Sequence, residues 1–255
     1  MRKILGLVGG VLLLAGPALA ADLSRPPPVY KAPPPVVPVF NWSGWYIGGN
    51  AGYGWGSSTN PSISSPDFSF DPGSFPSLSP RGFIGGGQIG YNWQVNPNWL
   101  LGLETDFQGA DIKAAGTGSV VDAAGNLGTT ALSEKLDFLG TARVRAGLVY
   151  NNWLLYGSGG LAYGNVKSTI GFTSTLGDDV AGSRSETRVG WAAGGGVNYL
   201  LTPNWILGVD YLHYDLGHTN VTGTGVDPVT GGLDSITASQ KAGGNIVRGV
   251  INYKF

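Results

Sequence analysis

The chain is 255 residues long, with 44 glycines, 11% aromatic and only 12% charged residues, and a formal net charge of −1. That balance carries no electrostatic footprint for nucleic acid or an acidic surface as partner. The absence of cysteine excludes a disulfide framework, a thiolate metal site, a cysteine nucleophile and a cysteine-linked lipid anchor.

In chain order, Arg2 and Lys3 precede an apolar run from Ile4 to about Ala15 and then the small residues Ala18-Leu19-Ala20. Residues 1–20 therefore read as a secretory signal peptide cleaved after Ala20. The run falls short of the roughly 20 residues a spanning helix needs. Residues 21–42 read as a proline-rich spacer, because the stretch RPPPVYKAPPPVVP lacks the donors of a ladder and favours extended polyproline II. Its expected role is a periplasmic tether, with a docking peptide as the alternative.

Residues 43–255 read as one all-β domain, and turn signals divide it into candidate strands near 43–55, 81–94, 99–111, 134–150, 153–168, 185–200, 205–217 and 244–255. Trp45, Trp99, Trp153 and Trp205 stand 54, 54 and 52 residues apart, and the last three follow similar tight turns (NPN, NN and TPN). The other connections, roughly 56–80, 112–133, 169–184 and 218–243, are long and rich in Gly, Ser, Thr, Asp and Pro. Short turns on one side and four long extracellular loops on the other predict an eight-stranded antiparallel up-and-down transmembrane β-barrel with periplasmic turns. A soluble all-β repeat is the competing reading.

Alternation within the strands decides between them. The third strand offers Trp99, Leu101, Leu103, Thr105 and Phe107 to one face and Leu100, Gly102, Glu104, Asp106 and Gln108 to the other. The fourth is read with Leu136, Phe138, Ala142, Val144, Ala146 and Leu148 outward and Lys135, Asp137, Arg143 and Arg145 inward. Apolar residues outside and charges inside invert the pattern of a soluble sheet, and a cation on the lipid face costs about 2–4 kcal/mol at the midplane. Trp45, Trp93, Trp99, Tyr150, Trp153, Tyr199, Trp205, Tyr253 and Phe255 all lie near the tight-turn side, the depth that amphipathic rings favour.

Counted from the tight turns, Glu104, Asp106, Asp210, Arg143, Arg145 and Arg248 share one depth. A barrel of this size is just filled by side chains, so these charges are expected to form a closed interior network rather than line a channel. Every acid has an arginine at its own height, which weakens the case for a catalytic carboxylate pair. Arg188 and Asp137, nearer the outer mouth, are expected to form a second, smaller pairing.

Other motifs carry less. The run GGGQIG at 85–90 has dinucleotide-fingerprint spacing but lies inside an alternating strand, where glycines relieve crowding. His213 and His218 flank Asp215 near the outer end of the seventh strand, yet no serine or acid can be assigned to either by spacing. No enzyme activity, cofactor or metal is expected.

The segment ALAADL at 18–23, the spacer leading into NWSGWYIGGN at 41–50 and the terminal VRGVINYKF resemble the outer-membrane immunogenic protein (surface antigen) family of alphaproteobacteria, within the porin-like eight-stranded barrels. The resemblance covers essentially the whole chain and implies a surface-exposed barrel of the cell outer membrane that contributes to envelope integrity and is recognised by host immunity. It supplies no catalytic residues. The alternating strand that ends in Phe255 resembles the signal such barrels present to their insertion machinery. Expected partners are therefore that machinery, outer-membrane lipid and lipopolysaccharide, and host or neighbouring-cell ligands at the loops. The expected function is structural; a narrow porin for small solutes is the alternative, and a rim-located hydrolase or acyltransferase comes third.

Overall fold

A computed structural model of the protein describes residues 41–57, 61–66, 77–121, 127–226 and 231–255. The expected signal peptide at 1–20 and residues 21–40 of the expected spacer lie outside the described residues. Among the described residues there are nine strands: β1 (Gly44–Gly56), β2 (Ser62–Ser64), β3 (Arg81–Asn96), β4 (Trp99–Val121), β5 (Leu127–Tyr150), β6 (Trp153–Ser174), β7 (Asp179–Leu200), β8 (Trp205–Val226) and β9 (Leu233–Lys254). β1 and β3 to β9 pair in succession, all antiparallel, and β9 returns to β1 from Tyr46↔Lys254 to Gly56↔Gly244, closing an eight-stranded ring. β2 adds three residues to β9, with Ile63 opposite Ala238.

The tight turns follow from their side chains. Asn96 Oδ1 accepts hydrogen bonds from the amides of Asn98 (2.9 Å) and Trp99 (2.8 Å), folding the chain back locally. Thr202 Oγ1 does the same for Asn204 and Trp205. Asn151 takes φ 54°, a left-handed conformation that asparagine tolerates better than most residues and that two-residue hairpins need.

Outside the ring the surface is apolar. Ile47, Leu103, Val144, Leu155, Leu161, Val197, Val209 and Ile251, spread over seven strands, are each 40–62% exposed. A water-soluble monomer rarely exposes so continuous a patch, whereas a bilayer-spanning barrel requires one.

The ladder runs further than the sequence reading allowed. β5 has 24 residues, β4 has 23, and β6 to β9 have 22 each, about twice the 9–11 that cross a bilayer. Most of 112–133, 169–184 and 218–243, read as loop, is strand. The reason is a second alternation of opposite sign. Beyond the apolar belt Val120, Leu132, Ile170, Phe172, Val180, Val221, Ile236 and Ala238 point inward and are buried, while polar residues such as Thr117, Ser119 and Thr129 face out. That is how a half-hydrated sheet is built, and a search for apolar residues on the outer face passes over it.

β-Bulges lie close to the change of pattern. The ladders are irregular between Gly109 and Ile112, Leu136 and Phe138, and Asp215 and His218, and the β7–β8 ladder breaks between Ala181 and Trp191. The bulge at Asp137 corrects three face assignments. Leu136, expected outward, packs in the interior at 5% exposure. Lys135 and Asp137, expected inward, are partly exposed and pair at 2.7 Å. One extra residue in a strand turns every later side chain to the opposite face. The expected Arg188–Asp137 pairing is likewise absent: Arg188 pairs with Glu186 at 2.9 Å.

Candidate functional site in the barrel interior

The structure brings Glu104, Asp106, Asp210, Arg143, Arg145 and Arg248 into one network inside the ring. Register explains the meeting, since Glu104 lies opposite Arg143 across β4 and β5, and Asp210 opposite Arg248 across β8 and β9. Arg143 Nη2 donates to Glu104 Oε1 at 2.5 Å and Asp106 Oδ2 at 3.0 Å, and Arg145 Nη1 lies 2.9 Å from Glu104 Oε2. On the facing side, Arg248 donates from Nη2 to Asp106 Oδ2 at 2.9 Å and from Nε to Asp210 Oδ1 at 2.8 Å. All six side chains are at most 3% exposed, and three acids balance three arginines, so the layer is formally neutral.

Two tyrosines that sequence reasoning passed over complete it. Tyr46 Oη donates to Glu104 Oε2 at 2.7 Å and accepts from Arg145 Nη1 at 2.6 Å. The Arg145 guanidinium also stacks over the Tyr156 ring, 3.9 Å from its centroid. Strand parity carries the signal, since Tyr46 alternates with outward Trp45 and Ile47. Gly90 makes room for the first of them: a Cβ there would lie 2.2 Å from Tyr46 Oη and 2.6 Å from the Leu103 carbonyl oxygen. Gly90→Ala is therefore expected to lower stability by about 1–3 kcal/mol, read as an earlier urea midpoint, because overpacking forces the phenol off Glu104.

Charge is one interior layer among several. Beside the charges, with Gln88 directly opposite Asp106, Asn50 Nδ2 donates to Gln88 Oε1 at 3.0 Å and Gln88 Nε2 to Asn252 Oδ1 at 2.7 Å. Beyond them Trp42, Leu100, Val149, Leu154, Leu200 and Ile206 close the end. Trp42 was assigned to the spacer by the boundary at residue 42, but its indole is fully buried in this cluster. On the other side of the network, Ile84, Ile112, Leu139, Leu212, Leu216 and Ile246 belong to an apolar layer, followed by the buried residues around Leu132 and Ile170. A charge-filled interior, as the sequence suggested, is thus a charged layer held between apolar ones.

The nine aromatic residues face outward at the tight-turn end. Trp45, Trp93, Trp99, Tyr150, Trp153, Trp205, Tyr253 and Phe255 are exposed and Tyr199 is half-buried. Cross-strand contacts join several of them, including Trp153–Tyr199 at 4.7 Å and Trp205–Tyr253 at 5.2 Å between ring centroids. At the opposite side of the apolar belt, His213 Nδ1 lies 2.9 Å from Asn245 Oδ1, and its ring is 5.4 Å from that of Trp191. Asp215 is held by Lys241 at 3.0 Å and by the Gly217 amide at 2.8 Å, and His218 lies opposite Lys241.

Residues 32–237 match the family model described as the outer membrane protein beta-barrel domain. The chain belongs to that family. This outer-membrane barrel is 39% identical over 252 residues to the 31 kDa outer-membrane immunogenic protein of Brucella melitensis biotype 1, with 95% of each chain covered. It is 31% identical over 185 residues to the 22 kDa outer membrane protein of Rhizobium leguminosarum bv. viciae, covering 71% of this chain and 67% of the relative. Among solved structures, the outer membrane protein OprG from Pseudomonas aeruginosa aligns at a TM-score of 0.46 and 14% identity, covering 84% of this chain and 96% of that one. The protein is accordingly a transmembrane β-barrel of the Gram-negative outer membrane, its tight turns in the periplasm and its longer connections outside.

Proposed function

We propose that the barrel is a closed structural element of the outer membrane that supports the envelope and presents a surface to the exterior, rather than a conduit. The observation that carries this reading is the succession of side-chain layers: apolar around Trp42, a polar layer of amides and ion pairs, then apolar twice. Opening such a barrel requires more than parting ion pairs, because an apolar constriction excludes water and ions on its own. Single-channel recording of the purified protein in planar bilayers at neutral pH is expected to show no sustained openings. Regular openings would overturn the closed barrel and favour a narrow porin.

The same reading makes the protein a non-enzyme. It is supported at the rim, where His213 is engaged by Asn245 and Asp215 by Lys241 and the Gly217 amide. Other roles rest on the surface. Phe255 is 71% exposed, its amide is bound to the Trp45 carbonyl and its ring packs on Tyr253. That outward terminal aromatic suits recognition by the insertion machinery. The extracellular connections supply the faces that host or neighbouring-cell ligands would meet.

A further inference from the structure

Four cations stand side by side across four strands just outside the apolar belt. Arg81 on β3 is directly opposite Lys113 on β4, Lys113 opposite Lys135 on β5, and Lys135 opposite Lys167 on β6. They alternate with the inward-facing Ile112, Leu136 and Val166, so all are on the outer surface. At a strand spacing of about 4.8 Å the row is about 14 Å long. Like charges in directly opposed positions destabilise a sheet, so the row needs anions.

The protein supplies two of them: Asp111, 3.1 Å from Lys113, and Asp137, 2.7 Å from Lys135. Four cations less two acids leaves two positive charges. Among the described residues Arg81 and Lys167, at the two ends of the row, have no ion-pair partner. The depth is that of a headgroup, because Phe83 and Phe138, on the apolar belt, lie two and three residues toward the membrane from Arg81 and Lys135.

A second, independent feature lies beneath the Arg81–Lys113 end of the row. The lipid-facing surface carries a shallow groove of about 990 Å³ floored by Ala51, Gly85, Gly109 and Gly249 and walled by Phe83 and Val247. Small residues directly opposed on successive strands make it, since Ala51 faces both Gly85 and Gly249, and Gly85 faces Gly109. Asp111 and Asp137 form its extracellular border. Gly85 and Gly109 lie four residues below Arg81 and Lys113, or about 13 Å along the strand.

We propose that this face binds a phosphorylated, multiply acylated glycolipid of the outer leaflet. Phosphates at the two ends of its disaccharide head meet Arg81 and Lys167, and an acyl chain lies in the groove. Lysine and arginine at a membrane surface attract anionic headgroups, and a lipid is the occupant that supplies anion and hydrocarbon together at this depth. The proposal rests on the reading of the chain as an outer-membrane barrel with this orientation.

Native mass spectrometry of the detergent-solubilised barrel with bisphosphorylated lipid A tests it, with two comparison probes: lipid A stripped of its phosphates, and inorganic pyrophosphate. The intact lipid is expected to bind. Removing its phosphates, or combining Arg81→Gln, Lys113→Gln, Lys135→Gln and Lys167→Gln, should weaken binding at least about 10-fold. Pyrophosphate should not displace the lipid, because it cannot fill the groove. Unchanged binding by the quadruple variant, equal binding of the dephosphorylated lipid, or displacement by pyrophosphate would each overturn the proposal, the last pointing to a polyanion site. If the quadruple variant does not fold, Arg81→Gln/Lys167→Gln, which breaks no ion pair among the described residues, is expected to weaken binding severalfold, and no change would again overturn it. Conductance is read separately, so a barrel that conducts yet holds lipid A through these cations overturns only the closed-interior reading.

Discussion

Arg248→Met is expected to destabilise the folded barrel by about 3–5 kcal/mol, the cost typical of removing one partner from a buried ionic network. Arg248 is 1% exposed and bridges Asp106 and Asp210, at 2.9 and 2.8 Å. Without it Asp106 keeps Arg143 at 3.0 Å, but Asp210 is left 3.9 Å from the same guanidinium. Three acids would then share two arginines in a layer flanked by apolar side chains. Methionine preserves most of the volume, so the loss reports charge rather than a cavity. Urea unfolding in detergent micelles, followed by tryptophan fluorescence and by the gel shift between folded and unfolded forms, reads the change. Adding Asp210→Asn to Arg248→Met should recover part of the loss by restoring neutrality. A midpoint equal to that of the parent protein would remove the network from the account of stability.

Trp42→Ala is expected to cost a similar amount, about 3–5 kcal/mol, because truncating a fully buried tryptophan leaves a cavity that the surrounding strands cannot close. Leu100, Val149, Leu154, Leu200 and Ile206 come from five strands held by the ring's hydrogen bonds, which limits their collapse. The Trp42 amide, bound to Gln94 Oε1 at 3.0 Å, fixes the entry of the chain beneath the barrel. Trp45→Ala is the control, since that ring points to lipid and its loss opens no interior cavity. The same urea measurement should separate the two by several-fold in effect. Comparable midpoints for both variants would mean that Trp42 is not a structural part of the floor.

How much of this was legible in the sequence depended on which rule each segment obeyed. Trp99, Leu101 and Leu103 alternate with Gly102 and Glu104, so the faces of that strand followed from parity alone. The network followed from counting depth, because tight turns place residues equally distant from them at one height. Parity failed at Asp137, where a bulge of one residue is invisible in composition. It failed again at 112–133, where Val120 and Leu132 point inward and the strand obeys the rule for water rather than the rule for lipid. Trp42 was missed for another reason. It stands two residues before β1, and no periodicity extends to a side chain that folds back beneath the first strand.

The extension of the ladder beyond the bulges has a consequence for anything that approaches from outside. At that level Ser119 stands opposite Thr129, Thr129 opposite Thr173, Thr173 opposite Asp179, Asp179 opposite Val226, and Val226 opposite Leu233. A patch one antibody footprint wide is therefore assembled from six strands that together span residues 119 to 233, and no short peptide reproduces it. Because the backbone is held by the ladder and these side chains face solvent, they can be exchanged singly with little effect on the frame beneath. The external face is free to diversify while the architecture that displays it stays constant.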